Sequence, residues 1–334
     1  MKTVDATTAP HPLDRLSALL GDDMQQVNTM IVRNMHSEVQ LIPQLAAYLV
    51  AAGGKRIRPL LTLATTRLYG DTGPRPYGLS ASVEFIHTAT LLHDDVVDES
   101  IERRGNPSAN IVFGNQASVL VGDFLFSRAF QLMVADGSLD VLQILSTASA
   151  VIAEGEVLQL SAANDLSTSL DQYKAIIAAK TAALFAAACE IGPVIAGAGE
   201  EARQAMRAYG HNLGLAFQIA DDVLDYTADE AKLGKTVGDD FREGKLTAPV
   251  LIALGEADAE ERAFWSRTMG EQNQTPDDLA TAMTLLTRHD AFHKGLAMAR
   301  DYAALAEEAL MTAPSSPLRE SLQDILRFSL ERDH

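Results

Sequence analysis

Two short acidic runs carry the strongest chemical signal in this sequence. Asp94, Asp95 and Asp98 stand in LLHDDVVDES, and Asp221, Asp222 and Asp225 in AFQIADDVLDY, with one D-D-x-x-D spacing behind an apolar stretch. On a helix the outer two aspartates of each triplet lie about one turn apart on one face, and the middle one is rotated roughly 100° away. Carboxylates four residues apart destabilise a helix by roughly a few tenths of a kcal/mol, and burying them unpaired costs far more. One such triplet reads as a solvated acidic patch. Two triplets, 127 positions apart, read as two ledges that share divalent cations. Mg²⁺ suits them, because it takes a few carboxylates and completes its shell with water and phosphate oxygens. Neither run has the central glycine and terminal glutamate of an EF-hand loop, and neither has a Cys/His set for zinc.

Cations gather near the same places. Lys55, Arg56 and Arg58 fill three of four positions in KRIR. Arg103 and Arg104 follow the first triplet, Lys180-Thr181 interrupts an alanine-rich stretch, and Lys235 and Lys245 follow the second triplet. Singly, each reads as a surface charge or a salt bridge. Together with the ledges they imply two anionic groups held side by side, one through metal and one by Arg and Lys directly. Diphosphates fit both modes. His87 alone would read as a core histidine, but it lies two turns before Asp94 on the same face, which draws it toward the site.

The elements that must position these residues are helical. Apolar residues recur at three- and four-residue intervals in VLQILSTASAVIAEGEVLQL, VEFIHTATLLHDDVVDES and YGHNLGLAFQIADDVLDY, a helix period rather than a strand period. No alternating strand pattern bounded by turn signals stands out. Residues 71–76, 104–107 and 314–317 read as loops. The 334 residues, 47% of them hydrophobic, suffice for one large core. No linker divides them, so the expectation is a single-domain all-α protein over residues 13–334, after a mobile N-terminus at 1–12. The net charge of −18 argues against a nucleic-acid partner and against adsorption to anionic lipid. No run of about 18 uncharged apolar residues suggests a membrane span, and MKTVDATTAPHPLDRL has no signal-peptide core. The one cysteine, Cys189 in an apolar run, reads as an inert buried thiol suited to a reducing cytoplasm.

The chain resembles the trans-polyprenyl diphosphate synthases, in particular the long-chain octaprenyl type that makes the quinone side chain. The resemblance runs from about residue 12 to the C-terminus through GGKRIRP, EFIHTATLLHDDVVDES, RRG, GNQASVLVGDFLFSRAF, AEGEVLQL, KTAALF, AFQIADDVLDY and GDDFREGK, in family order. Small departures are Ile57 for a more usual Leu, and Leu246 and Ala248 beside Lys245. The resemblance implies helices around a deep central cavity, a homodimer, and Mg²⁺-dependent condensation of isopentenyl diphosphate onto an allylic diphosphate such as farnesyl diphosphate. It implies Asp94, Asp98 and Asp221 as metal ligands, with Asp95, Asp222 and Asp225 in support. Arg103, Lys180, Thr181, Gln218, Lys235 and Lys245 would contact the allylic substrate, and Lys55, Arg58, His87 and Arg104 would grip isopentenyl diphosphate.

Product length is expected to depend on the turn before Asp94. Thr90 and Ala89, four and five positions earlier, lie about one turn down, and both are small, so neither closes a cavity near the metals. Ile86 and Val83 would continue its lining. Phe126, Phe130 and Met133 are candidates for its floor. Two rivals are a class I terpene cyclase, which should lack the second triplet and the GKRIRP cations, and a non-catalytic prenyl synthase subunit, which should have lost one triplet or the basic set.

Overall fold

The structure, a computed structural model, describes residues 11–51, 53–103, 105–227 and 237–330. Arg104 and Lys235 lie outside the described residues, as do residues 1–10 of the expected mobile N-terminus. The expected boundary at residue 12 is already structured: α1 (Pro12–Leu19) starts there, with the His11 side chain accepting from the Leu13 N–H.

The helix period is realised along the described chain. Helices α2 (Asp23–Asn34), α3 (Leu41–Ala51) and α4 (Ile57–Leu68) lead into α5 (Arg75–Val97), which carries the first triplet. A short turn, α6 (Ala109–Phe113), precedes α7 (Asn115–Asp136), α8 (Leu139–Ala162) and α9 (Leu170–Ile177). Helix α10 (Ala183–Ala196) leads to α11 (Glu200–Thr227), which carries the second triplet. Then come α12 (Asp239–Arg242), α13 (Ala248–Glu256), α14 (Ala259–Trp265), α15 (Asp278–Arg288), α16 (Ala291–Met311) and α17 (Pro317–Leu330). Helix α11 packs along α10 and α16, α5 along α7, and α10 along α4. The main core draws on all of these, with Leu61, Val83, Phe85, Ile86, Cys189 and Tyr209 fully enclosed. A second cluster gathers around Trp265, Tyr226 and Phe241. Burial pushes the Cys189 thiol well above its ordinary range, as an inert buried thiol requires.

Two expectations are corrected. The 104–107 loop contains a two-residue antiparallel ladder that pairs Glu102 with Pro107 and Arg103 with Asn106. It is too short for any alternation to show in sequence. Three stretches are long and apolar enough to cross a membrane by length and composition: Asn115–Asp136, Leu139–Ala162 and Leu170–Ala196. Each carries charges, Asp123 and Arg128 in the first, Glu154 and Glu156 in the second and Lys180 and Glu190 in the third, so none is an uncharged apolar run. Most of the third is buried within the fold, whereas α7 and α8 turn much of their apolar surface outward.

Candidate active site

The first ledge closes the C-terminal end of α5. Asp95 is buried and faces inward. Its Oδ1 accepts from Arg103 Nε at 2.9 Å, and its backbone carbonyl accepts from Asn110 Nδ2 at 3.0 Å. Asp95 therefore anchors the arginine hairpin. Asp94 and Asp98 face a different way, and each meets a lysine. Lys180 Nζ stands 3.4 Å from Asp94 Oδ2, and Lys245 Nζ stands 3.2 Å from Asp98 Oδ2. Burial raises the Asp94 carboxyl above its usual range and Asp98 adds to this, while Lys180 opposes it.

Lys180 sits on an unusual piece of backbone. Residues Ala178–Ala182 form a π-helical turn between α9 and α10, a local widening that often marks functional positions in helices. Two glycines let neighbours approach it. A Cβ on Gly155 would lie 2.7 Å from Ala179 Cβ, and one on Gly214 would lie 2.6 Å from Ala182 Cα. The turn presents two consecutive side chains to two ledges. Lys180 reaches Asp94 and also donates to Glu156 Oε2 at 2.8 Å. Thr181 donates to Gln218 Oε1 at 2.9 Å, and Gln218 donates to Asp222 Oδ1 at 2.8 Å. One turn thus ties the first triplet to the second.

On α11, Asp221 is exposed and Asp222 is buried. Burial, reinforced by Asp221 and Asp225, pushes the Asp222 carboxyl up to about 7, against hydrogen bonds from Tyr173 and Gln218. Asp225 Oδ2 accepts from the Asp240 N–H at 3.1 Å and its carbonyl accepts from the Gly238 N–H at 2.8 Å, so Asp225 organises the segment that delivers Lys245. Burial acts against the Lys245 ammonium, but Asp98 and Glu243 outweigh it and raise its pKa.

The second group of cations lines a cavity of about 820 Å³ between α1–α2 and α5. Lys55, Arg56, His87, Asp95 and Arg103 form its polar end, and Met24, Ile31, Met35, Leu91 and Leu92 its apolar wall. Arg58 donates to His87 Nε2 at 3.2 Å, which places the ring proton on Nδ1. Arg58 also stacks over Phe185 at 4.4 Å, and Lys55 lies over Phe328 at 5.0 Å.

Ala89 does not line this cavity. With Val83 and Ile86 it is fully buried in the main core, while Glu84, His87, Thr88 and Leu91, on another face of α5, form the wall. Thr90 is half-buried and donates to the His87 carbonyl. Among the floor candidates, Met133 is buried, Phe126 stacks on His93, and Phe130 points outward. Sequence reasoning missed Glu156, Tyr173 and Asp240, which the fold places beside Lys180, Asp222 and Asp225 respectively. AEGEVLQL and GDDFREGK stood out as motifs, but only the folded chain shows which of their side chains turn inward.

The ledge donors are carboxylate oxygens alone, which is hard-cation chemistry and fits Mg²⁺. Among the described residues no three acidic, His or Cys side chains converge into a group that could hold a metal ion by themselves. An open ledge of this kind leaves coordination positions for water and phosphate.

An all-helical fold in which one lysine-threonine turn joins two aspartate-bearing helices is that of a prenyltransferase. Residues 39–286 match the family model described as Polyprenyl synthetase, and the chain belongs to that family. It is 44% identical over 321 residues to the octaprenyl diphosphate synthase of Escherichia coli (strain K12), covering 96% of this chain and 99% of that one. A solved decaprenyl diphosphate synthase from Rhodobacter capsulatus superposes with a TM-score of 0.92 at 52% identity, covering 96% of this chain and 99% of the other. A polyprenyl synthase from Caulobacter crescentus, complexed with calcium and isoprenyl diphosphate, has a TM-score of 0.92 at 50% identity, covering 97% and 99%.

Proposed function

We propose that this chain is a long-chain trans-polyprenyl diphosphate synthase of the octaprenyl type, working in the cytoplasm as a homodimer to make a quinone side chain. The observation that carries this reading is the Lys180-Thr181 turn, which reaches Asp94 on one side and Asp222 through Gln218 on the other. A diphosphate between the ledges would face Asp94, Asp98 and Asp221, with Lys180 and Lys245 already in place. Bound at those three carboxylates, Mg²⁺ would neutralise the departing diphosphate. Arg103, Thr181 and Gln218 border the same region, and Lys235 is assigned to it from sequence alone. Charge that develops on the leaving oxygens meets lysines fixed in advance, which is electrostatic stabilisation without reorganisation. Isopentenyl diphosphate would take the cavity at Lys55 and His87, with Arg58 joined to it through His87 and Arg104 assigned from sequence. Its double bond attacks the allylic carbon, and a proton is then lost.

The homodimer is supported by α7. Leu120, Phe130 and Val134 are 66%, 41% and 65% exposed and, ten and four residues apart, fall toward one side of the helix, which a second copy would cover.

The test is incubation of the purified chain with farnesyl diphosphate, labelled isopentenyl diphosphate and Mg²⁺, followed by chromatography of the product. An octaprenyl product that disappears with EDTA is expected. No elongation would point to a non-catalytic subunit, and a cyclised hydrocarbon to a terpene cyclase.

A further inference from the structure

We propose that Tyr173 is a positioning residue for the allylic half of the site, acting through Asp222 and Gln218 on Thr181. This inference rests on the prenyl-transfer reading. Tyr173 lies on α9 and is 4% exposed. Its hydroxyl donates to Asp222 Oδ2 at 2.5 Å. The other carboxylate oxygen accepts from Gln218 Nε2 at 2.8 Å. The donor pattern fixes everything beyond it. Both Asp222 oxygens accept, one from Tyr173 and one from Gln218, so the nitrogen of Gln218 faces Asp222 and its oxygen faces Thr181. The Thr181 hydroxyl must then donate to that oxygen, which it does at 2.9 Å. Thr181 is the chain neighbour of Lys180 on the π-turn, so the orientation of one tyrosine hydroxyl is passed to the turn that reaches Asp94.

The start of this relay is rigid. Helix α9 opens on a capping box of Ser169 and Gln172, and Tyr173 packs in a core cluster with Ile177, Leu215, Ile219 and Ala248. A purely structural contact at this depth would be more stable as an apolar pair, because a buried carboxylate carries a large desolvation penalty. The polar chain instead leads, bond by bond, to the cleft. Without the tyrosine hydroxyl, Asp222 Oδ2 loses its donor, and the carboxylate that holds Gln218 loses one of its two side-chain anchors.

Tyr173→Phe keeps the ring and removes only the hydroxyl. The expected result is a drop in kcat of about tenfold, the scale of one hydrogen bond to a charged group. Affinity for a non-hydrolysable allylic thiolodiphosphate, titrated calorimetrically, should fall, while KM for isopentenyl diphosphate and Tm stay near wild type. Combining Tyr173→Phe with Thr181→Val should cost no more than the worse single change, since both break one chain. Wild-type kcat and analogue affinity in Tyr173→Phe would overturn the proposal. So would additive losses in the double variant, or a loss shared by both substrates and matched by a lowered Tm. If the wild type elongates nothing, the prenyl-transfer reading fails by itself, and the analogue titration still decides the role of Tyr173.

Discussion

Lys180 is the residue on which both halves of the site depend, and its replacement should separate two effects. It lies between Asp94 and Glu156, at 3.4 Å and 2.8 Å. In Lys180→Ala the leaving diphosphate loses a fixed cation, and kcat should fall by about 10²–10³-fold, as when one preorganised donor is removed elsewhere. The same change removes a competitor for the ledge. Mg²⁺ titrated alone should therefore bind more tightly to Lys180→Ala than to wild type, a result isothermal calorimetry can check. Lys180 was legible in the sequence only in company: alone it reads as a surface charge, and the acidic triplets and the KTAALF resemblance draw it to the site. Its partner Glu156 is 24 residues away, and Tyr173 is 49 from Asp222. Each looks like an ordinary surface glutamate or core tyrosine until the helices are packed. Asp95 and Asp225 show the reverse: they were recognised as part of the acidic triplets, but their side chains serve the Arg103 hairpin and the segment before Lys245.

At the scale of elements, α5 serves two purposes on two faces. One face carries His87, Thr88 and Leu91 along the cavity, and the other sinks Val83, Ile86 and Ala89 into the core. The product is expected to grow past Ala89 by opening that packed face. Ala89→Tyr should then shorten the product sharply, and the overpacked core should lose about 1–3 kcal/mol. Chromatography of the labelled product and a thermal melt test both. A lowered Tm with unchanged product length would place the growing chain elsewhere, along the Thr88–Leu91 face. The helices themselves were readable because the 3.6-residue period persists through α5, α8 and α11. The π-turn was not: Ala178–Ala182 has the composition of ordinary helix, and its close approach to α8 and α11 at Gly155 and Gly214 shows only in the folded chain. Nor does composition distinguish the buried Leu170–Ala196 stretch from a membrane span. Only its neighbours show that protein covers it.

The molecule as a whole combines an acidic exterior with an apolar stripe on α7. A net charge of −18 opposes indiscriminate association, so a stripe that includes Leu120 and Val134 calls for a specific cover. Leu120→Asp should convert a dimer into monomers on light scattering at micromolar concentration, with helix content by circular dichroism unchanged. A wild type that is already monomeric at that concentration would remove the dimer from the proposal. The single-domain all-α architecture was evident from helix-period stretches with no dividing linker between them, but the outward turn of α7 was not, because the pattern does not show which molecule covers an apolar face.

The lysines on the ledges have a kinetic consequence. Before substrate arrives, Asp94 and Asp98 already have Lys180 and Lys245 as counter-ions. Loading the proposed substrates would therefore be an ion exchange: Lys180 and Lys245 would leave Asp94 and Asp98 for phosphate oxygens, and the freed carboxylates would be able to hold a divalent ion. A bare divalent ion meets an occupied exchanger, and a bare diphosphate meets like charge, so the two should load cooperatively, as a complex. On departure of the diphosphate, Lys180 and Lys245 would be free to pair again with Asp94 and Asp98, resetting the exchanger for the next unit of chain.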